Sequence, residues 1–443
     1  MAVGVRPETN EQEKFTMTNA NGFNERVLVG LETSFKTPPG TPAGYKLPVS
    51  NPSFKPTVQR FTSEALTGSA QPRKPVDGKV SVQGSFDLEC NTGSLGPVLS
   101  GLMGSEAVQG TGSYRDHVIY LGTPQSWYAE QQFGDINQFL VTKGNRFDKG
   151  DFTFDPEGLM KATISMRGAL TAILGSAFTG SGHITDKTVD PPLSYLFSAI
   201  KYGGSAVTDL QEVKLSIDRQ AEDVKCIDGT NELADIITKI AMVKGSIKAL
   251  FQDASLINDA LSSTETSLDF YVPSSVLGYG LWVTLPTLLL MPTGPTTNGP
   301  GGLVTQEFTY DAYGATANSH TKAFSASKAF TTVTVTSSST DALTISIDGA
   351  SDIPVTLTAG TRTPAQIATD INSAITTEGT AFVRNGRVWV ESATGGSTSS
   401  VEFKTVTHDG AANLGFAEAK YSGADQQAIR FVVTNADTAV YNA

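Results

Sequence analysis

Four histidines, two cysteines and one run of carboxylates are the side chains that could do chemistry in this chain, and their spacing argues against most of it. His117, His183, His320 and His408 are scattered through polar stretches, and no two stand at the short separation of a metal-binding pair. Cys90 and Cys226 lie in unrelated contexts and read as buried thiols rather than a bridge or ligand pair. Asp151, Asp155 and Glu157 crowd one segment, but without the alternating ligands and the glycine of a calcium loop. A solvated loop is the expectation there. No nucleophile elbow, phosphate-binding loop or dinucleotide fingerprint is present. Gly299–Gly302 sits in a proline-rich stretch and reads as turn. The chain is therefore expected to carry no catalytic residue, no cofactor and no metal, and not to be an enzyme.

Docking is the chemistry that remains. Asn51–Lys79 is rich in Pro, Ser and cations, with Lys55, Arg60, Arg73, Lys74 and Lys79 against Glu64 and Asp77. Phe54 and Phe61 could serve as apolar anchors. A loop this long inside a compact domain is usually functional or disordered. The functional reading is a projecting arm whose Phe54, Lys55, Arg60, Phe61, Arg73 and Lys74 contact the acidic surface of a neighbouring copy. The bland reading is a mobile loop.

Composition supports self-association over nucleic-acid grip. The 443 residues carry only 17% charged side chains, against about 25% in soluble domains, as expected of a surface partly covered by partners. The net charge of −12 disfavours tight binding to phosphates, which depends on Lys and Arg. The polar N-terminus lacks the basic start and apolar stretch of a signal peptide. The longest apolar run, Gly280–Met291, is short for a bilayer and interrupted by Pro286, so no membrane insertion is expected.

The elements that must position such a surface are mostly strands. Apolar and polar residues alternate over Val80–Leu88, Leu159–Met166, Val213–Ile217, Met242–Ile247, Leu281–Leu285 and Val304–Tyr310. The 43 glycines and 21 prolines between them suit many short strands joined by loops. Ser94–Leu102 and Ala254–Leu261 have helical spacing. These helices expose an internal duplication, in which Val82, Gly84, Ser85, Ser94 and Leu95 recur as Val243, Gly245, Ser246, Ser255 and Leu256. All five pairs share one ungapped separation of 161 residues. Two related β-units in tandem follow from this.

Residues 320–424 change character, with abundant Ser and Thr and little Pro. Leu343–Ile347 and Val355–Leu357 read as strands. Thr363, Pro364 and Gln366 form a capping box that starts a helix with Ile367, Ile371 and Ile375 on its buried face, and Gly379 is expected to end it. Asn385-Gly386 supplies a type I′ hairpin turn. Ala428–Val433 then resumes the earlier alternating style, so the module reads as inserted before the last strand of the second unit. The expected fold is mainly β, with two tandem β-sandwich or barrel units, short helices, and a small α+β module near the C-terminus. The boundaries read as a flexible arm over 1–25, a first unit over 26–185, a second over 186–319 with 425–443, and the insert over 320–424.

These motifs resemble those of the tail tube proteins of tailed bacteriophages. Gly30-Leu31-Glu32-Thr33-Ser34-Phe35-Lys36-Thr37-Pro38, with Tyr45–Pro48 after it, resembles the opening of that family. Gly84-Ser85 followed by Ser94-Leu95-Gly96-Pro97-Val98-Leu99 is similar to its strand and helix. Tyr114–Tyr120 and Pro124-Gln125-Ser126-Trp127-Tyr128 resemble its next hairpin, and Val243-Lys244-Gly245-Ser246 repeats the theme. The likeness covers roughly 27–315 and 426–436. The 320–424 module departs from it, and its run from Leu343 to Ile375 with the Asn413-Leu414-Gly415-Phe416 ending is similar to small domains inserted in flagellins and hook-associated proteins.

The resemblance implies a virion tail protein, assembled in the host bacterial cytoplasm, that forms rings stacked into a hollow tube for DNA ejection. Three chains would give a pseudo-hexameric ring, and six chains a true hexamer. It implies self-association, tape measure, tail terminator and tail tip proteins as partners, and double-stranded DNA in passage without specific binding. Inner-sheet residues are expected to be polar and net acidic, with Asp87 and Glu89 as candidates to face the lumen. The module would decorate the outside. The alternatives are another self-assembling phage or surface filament or decoration protein, or an all-β carbohydrate-active enzyme, for which no carboxylate pair stands out.

Overall fold

The structure, a computed structural model, describes residues 20–65, 71, 73–156, 158–194, 199–252, 254–297, 299–300, 302–314, 319–438 and 440–441. Most of the arm expected over 1–25, Glu157 of the acidic run, and Gly301 lie outside the described residues. The fold is mainly β.

The first half opens with β1 (Glu25–Leu31), β2 (Gly44–Lys46), β3 (Val49–Phe61) and β4 (Val76–Glu89). Helix α1 (Thr92–Met103) and the hairpin β5 (Gly104–Gln109) and β6 (Arg115–Leu121) follow. Then come β7 (Trp127–Phe133), β8 (Gln138–Phe154), β9 (Lys161–Gly168), β10 (Leu170–Leu174) and β11 (Ile184–Asp186). The second half has β12 (Ala199–Tyr202), β13 (Ser205–Ala206), β14 (Leu210–Asp218), β15 (Glu222–Val224), β16 (Asp235–Ile237) and β17 (Met242–Leu250). Helix α2 (Ser255–Leu261), β18 (Thr266–Pro273), β19 (Gly280–Thr297) and β20 (Val304–Ala312) complete it.

Two strand orders coincide. In the first half β3 pairs with β4, β4 with β9, and β9 with β8, all antiparallel. In the second half β14 pairs with β17, β17 with β20, and β20 with β19, also antiparallel. Each order begins with a hairpin-like pair and is followed in the chain by a helix. The long strands β8 and β19 each change partners along their length within one large sheet. The start of β8 pairs with β7 and β10, and that of β19 with β18 and β30 (Arg430–Asn435). The run Gly280–Met291 is thus one strand passing through Pro286. Its register slips there, Leu285 facing Leu268 and Leu288 facing Thr266, and a strand tolerates proline at such a slip.

Period-two alternation explains the core. Phe54, Phe86, Ile164, Phe152, Leu215, Ile247 and Phe308 all point to one side of these strands, and all are buried in a single apolar cluster. Helix α1 is buried over its whole length. Asn91 caps it, accepting from the Ser94 N–H at 2.7 Å, while the Ser94 side chain accepts from the Asn91 N–H at 3.2 Å.

The small module comprises β21 (Lys322–Ala326), β22 (Val333–Val335), β23 (Ala342–Ile347), β24 (Ile353–Thr356), β25 (Gly360–Arg362) and α3 (Pro364–Ile375). It continues with β26 (Gly379–Arg384), β27 (Arg387–Gly395), β28 (Ser400–Lys404), α4 (Gly410–Leu414) and β29 (Lys420–Ser422). Thr363 and Gln366 form the expected box, but α3 stops at Thr376, whose φ is 39°, and Gly379 opens the next strand. The module has its own core around Ile345, Ile367, Ile371 and Val388. It is also held firmly to the sheets. Trp282 packs perpendicular to Trp389 at 5.5 Å, with the Arg384 and Arg430 guanidiniums 3.9 and 4.3 Å from the Trp282 ring centre. Buried Arg387 grips buried Asp116 of β6 with two hydrogen bonds of 2.6 and 2.9 Å.

Candidate functional site

The residues between the core positions form a polar face. Along β4 these are Gln83, Ser85, Asp87 and Glu89, and along β9 Lys161, Thr163, Ser165 and Arg167. The pairing of β8 with β14, from Phe154 opposite Val213 to Lys149 opposite Asp218, carries the sheet from one half into the other without a break. One row therefore reads Asp87, Thr163, Asp151, Ser216, Lys244, Asp311 across six strands of both halves. The next reads Glu89, Lys161, Thr153, Lys214, Ser246, Thr309.

Charges on this face are interspersed rather than uniformly acidic. Lys149 pairs with Asp151 at 2.8 Å, Lys214 with Glu212 at 3.1 Å, and Lys244 with Asp311 at 3.2 Å. Asp87 accepts from Asn51 at 3.0 Å and Thr163 at 2.8 Å, and these bonds hold its carboxyl below the usual range. Glu89 is exposed at the end of the same face.

This sheet ends in two free edges. Among the described residues β3 pairs only with β4, and residues 289–297 of β19 pair only with β20. Both edges carry prolines, Pro52 and Pro56 on one and Pro292 and Pro295 on the other. Proline removes a donor, which restrains uncontrolled edge-to-edge pairing.

Within Asn51–Lys79, residues 51–61 and 76–79 are not loop but the paired strands β3 and β4, whose far ends run past the sheet; 66–70 and 72 between them lie outside the described residues. Lys55, Arg60, Phe61, Arg73 and Lys74 are exposed in this segment. Arg60 is partly occupied by Asp77 across the hairpin at 3.1 Å. Phe54 is different. It is buried against Gly84, where an added Cβ would come within 2.8 Å of its ring, so it serves the core and not an exposed contact. The hairpin base is braced by the β15–β16 loop of the second half. There Lys79 meets Asp228 at 2.6 Å and the Val80 N–H donates to the Asn231 carbonyl at 2.7 Å. Cys226, expected to be buried, is exposed on this loop, while Cys90 is buried.

The Gly30–Pro38 motif has a structural explanation. Glu32 is buried and accepts from the Gly144 N–H at 3.0 and 3.1 Å, the Ser126 hydroxyl at 2.6 Å and the Lys36 N–H at 3.0 Å. It ties the turn after β1 to β7 and β8, and burial raises its pKa despite these bonds. Lys36, at φ 64°, reaches Glu232 at 2.9 Å and so joins the two halves. Gly30 leaves room for the Tyr128 ring.

A buried polar cluster joins residues that no sequence motif links. His117 contacts Glu106 at 2.6 Å, Asn435 at 3.2 Å and the Asp437 carbonyl at 3.1 Å, and Lys187 pairs with Asp437. Tyr441 lies over Gly96 of α1, and Asn435 donates to the Thr92 carbonyl at 2.8 Å. The cluster fastens the segment after β30 across α1. His117 is thus a structural histidine, and its neighbours Arg115 and Asp116 give no local sign of burial. No group of His, Cys, Asp and Glu able to hold a metal occurs among the described residues.

Residues 22–312 of the 443 match a family model described as phage tail tube protein. A search of curated proteins finds no match for the chain.

Proposed function

The chain belongs to the phage tail tube protein family, and from that premise we propose that it polymerises as stacked rings into a tail tube through which DNA passes. The observation that carries this reading is the β8–β14 pairing. It joins two halves of like strand order into one sheet, and it leaves β3 and the end of β19 as the corresponding edge strands.

If the halves are tandem units, β3 corresponds to β14 and β19 to β8. The end of β19 in one copy would then meet β3 of the next in the way β8 meets β14. Repeating that junction closes a ring and removes both edges. Three chains would supply six units, and six chains would supply twelve.

The polar face would line the channel. Lys149, Arg167, Lys214 and Lys244 on it are tied to neighbouring carboxylates, which weakens their grip on phosphate and suits a duplex that must slide. The β3–β4 hairpin, bearing Lys55, Arg60, Phe61, Arg73 and Lys74, would reach the adjoining ring. The module at 320–424 would sit outside, held at a set angle by its aromatic and arginine contacts. Tape measure, terminator and tip proteins are the partners this role requires, and the host cytoplasm is the place of assembly. Among the described residues no helix is long and apolar enough to cross a membrane.

Electron microscopy of concentrated protein tests the reading. Rings or tubes with a central channel are expected, with three chains per ring by mass. Monomers at every concentration would overturn it.

A further inference from the structure

We propose that the groove beneath α2 is the seat for the segment that leads into β1 of a neighbouring copy. The inference rests on the ring reading above and adds to it a named site and a named occupant.

The groove is a cavity of about 420 Å³ lined by Tyr202, Val207, Leu250, Phe251, Leu256 and Phe308, among others. Its counterpart on the first half is filled. Cys90 and Phe251 stand at the same 161-residue separation as Gly84 and Gly245. Their backbones do the same thing, the Cys90 N–H donating to the Met160 carbonyl at 3.1 Å and the Phe251 N–H to the Val304 carbonyl at 3.0 Å.

In the first half a further segment lies against this pair. The Leu193 N–H donates to the Cys90 carbonyl at 2.8 Å, and the Met160 N–H donates to the Leu193 carbonyl at 2.9 Å. Asn91 donates to the Lys187 carbonyl at 2.9 Å, and Leu193 is fully buried. No segment among the described residues does this for the second half. Phe251, which lines the groove, is 41% exposed, and Leu303, next to the Val304 whose carbonyl accepts the Phe251 N–H, is 64% exposed.

The segment over the first half leads directly into β12. That strand pairs with β18 as β1 pairs with β7, each partner following a helix in its half. The approach to β12 thus covers the preceding half. By the same geometry the approach to β1 covers whatever half precedes it across β3, and in a ring that is the second half of another copy. The approach to β1 offers the apolar side chains required, with Phe15 and Met17 in the sequence and Phe23 91% exposed just before the strand. An extended strand with one apolar residue inserted, as Leu193 is, fits the cavity's size and its open backbone edge.

Disulfide trapping in assembled particles tests this. In a Cys226→Ser background, Ser255→Cys is combined with Phe15→Cys or with Met17→Cys, and the particles are oxidised. Covalent species of two and three chains are expected from a double variant, and none from any single variant. Deleting residues 2–19, or introducing Phe251→Asp, should raise the concentration needed for assembly at least tenfold. Circular dichroism of the monomers reports whether each variant still folds. A cross-link that leaves the chain monomeric overturns the proposal, as does assembly of the deletion variant at the wild-type concentration. Both results leave the ring reading standing. A wild-type chain that forms no particles removes the ring reading and this inference together.

Discussion

Helices α1 and α2 follow corresponding strands and share the Ser-Leu start at 94–95 and 255–256, yet their surroundings differ. Every residue of α1 is buried, whereas in α2 only Ala260 is. The β5–β6 hairpin, the segment after β30 and the stretch 187–194 all lie over or beside α1 and the end of β4. α2 passes through a short turn straight into β18. Local sequence builds the same helix twice, and what distinguishes the two is the chain available to cover them. If the halves are tandem units, one covered and one bare is the form expected when the missing cover comes from another copy.

The largest test of this contrast compares equivalent leucines. Leu95→Ala should cost about 2–5 kcal/mol in chemical denaturation, because Leu95 is fully buried. Leu256→Ala should cost about 1 kcal/mol or less in the monomer, since Leu256 is half-buried. If the two cost the same in monomers, the contrast fails.

The paired glycines sharpen the likeness. Gly245→Ala should cost about 1–3 kcal/mol. Its new Cβ meets the Lys214 carbonyl and the Tyr310 ring, whose hydroxyl donates to that carbonyl at 2.8 Å. Gly84→Ala should cost less, because its nearest neighbour is the Phe54 ring, a side chain able to shift. Thermal unfolding of both variants reads this order. At the helix start, Asn91→Ala removes the cap and should cost about 1 kcal/mol.

The smallest effect concerns the brace between the halves. The Lys79 hydrogen bond, with the Thr230 N–H, lowers the Asp228 pKa from 3.8 to about 2. A depressed carboxylate contributes stability above its ordinary value and loses it as pH falls through the folded one. Protection of the Val80 amide from hydrogen exchange should therefore persist at pH 5 and decline between about 4 and 2. Asp228→Asn should abolish that pH dependence.

Much of the β framework was legible because one face of each strand is buried. Val80–Leu88, Val213–Ile217 and Val304–Tyr310 alternate cleanly and became β4, β14 and β20 with ends shifted by a few residues. The box at Thr363 and Gln366 was equally plain, being a local contact. The hairpin over 51–79 was not, since Pro52 and Pro56 argue against a strand and its exposed outer half has no apolar period. From the sequence Phe54 reads as a surface anchor, because nothing local reveals that Gly84 opens a space for its ring. The buried pairs His117–Glu106 and Arg387–Asp116 join residues whose types suggest exposure, and only their partners make burial tolerable.

The sequence alone determined the strand-rich class, the repeated glycine-serine and helix motif, the inserted module's helix cap, and the family resemblance, since each rests on residues near one another in the chain. Only the tertiary structure decided that β8 and β14 continue one sheet, that the face turned from the core is polar with mixed charge, and which of two like helices is left uncovered. Pairing register and burial depend on residues a hundred or more positions apart, and no local pattern encodes which distant strand will supply the partner.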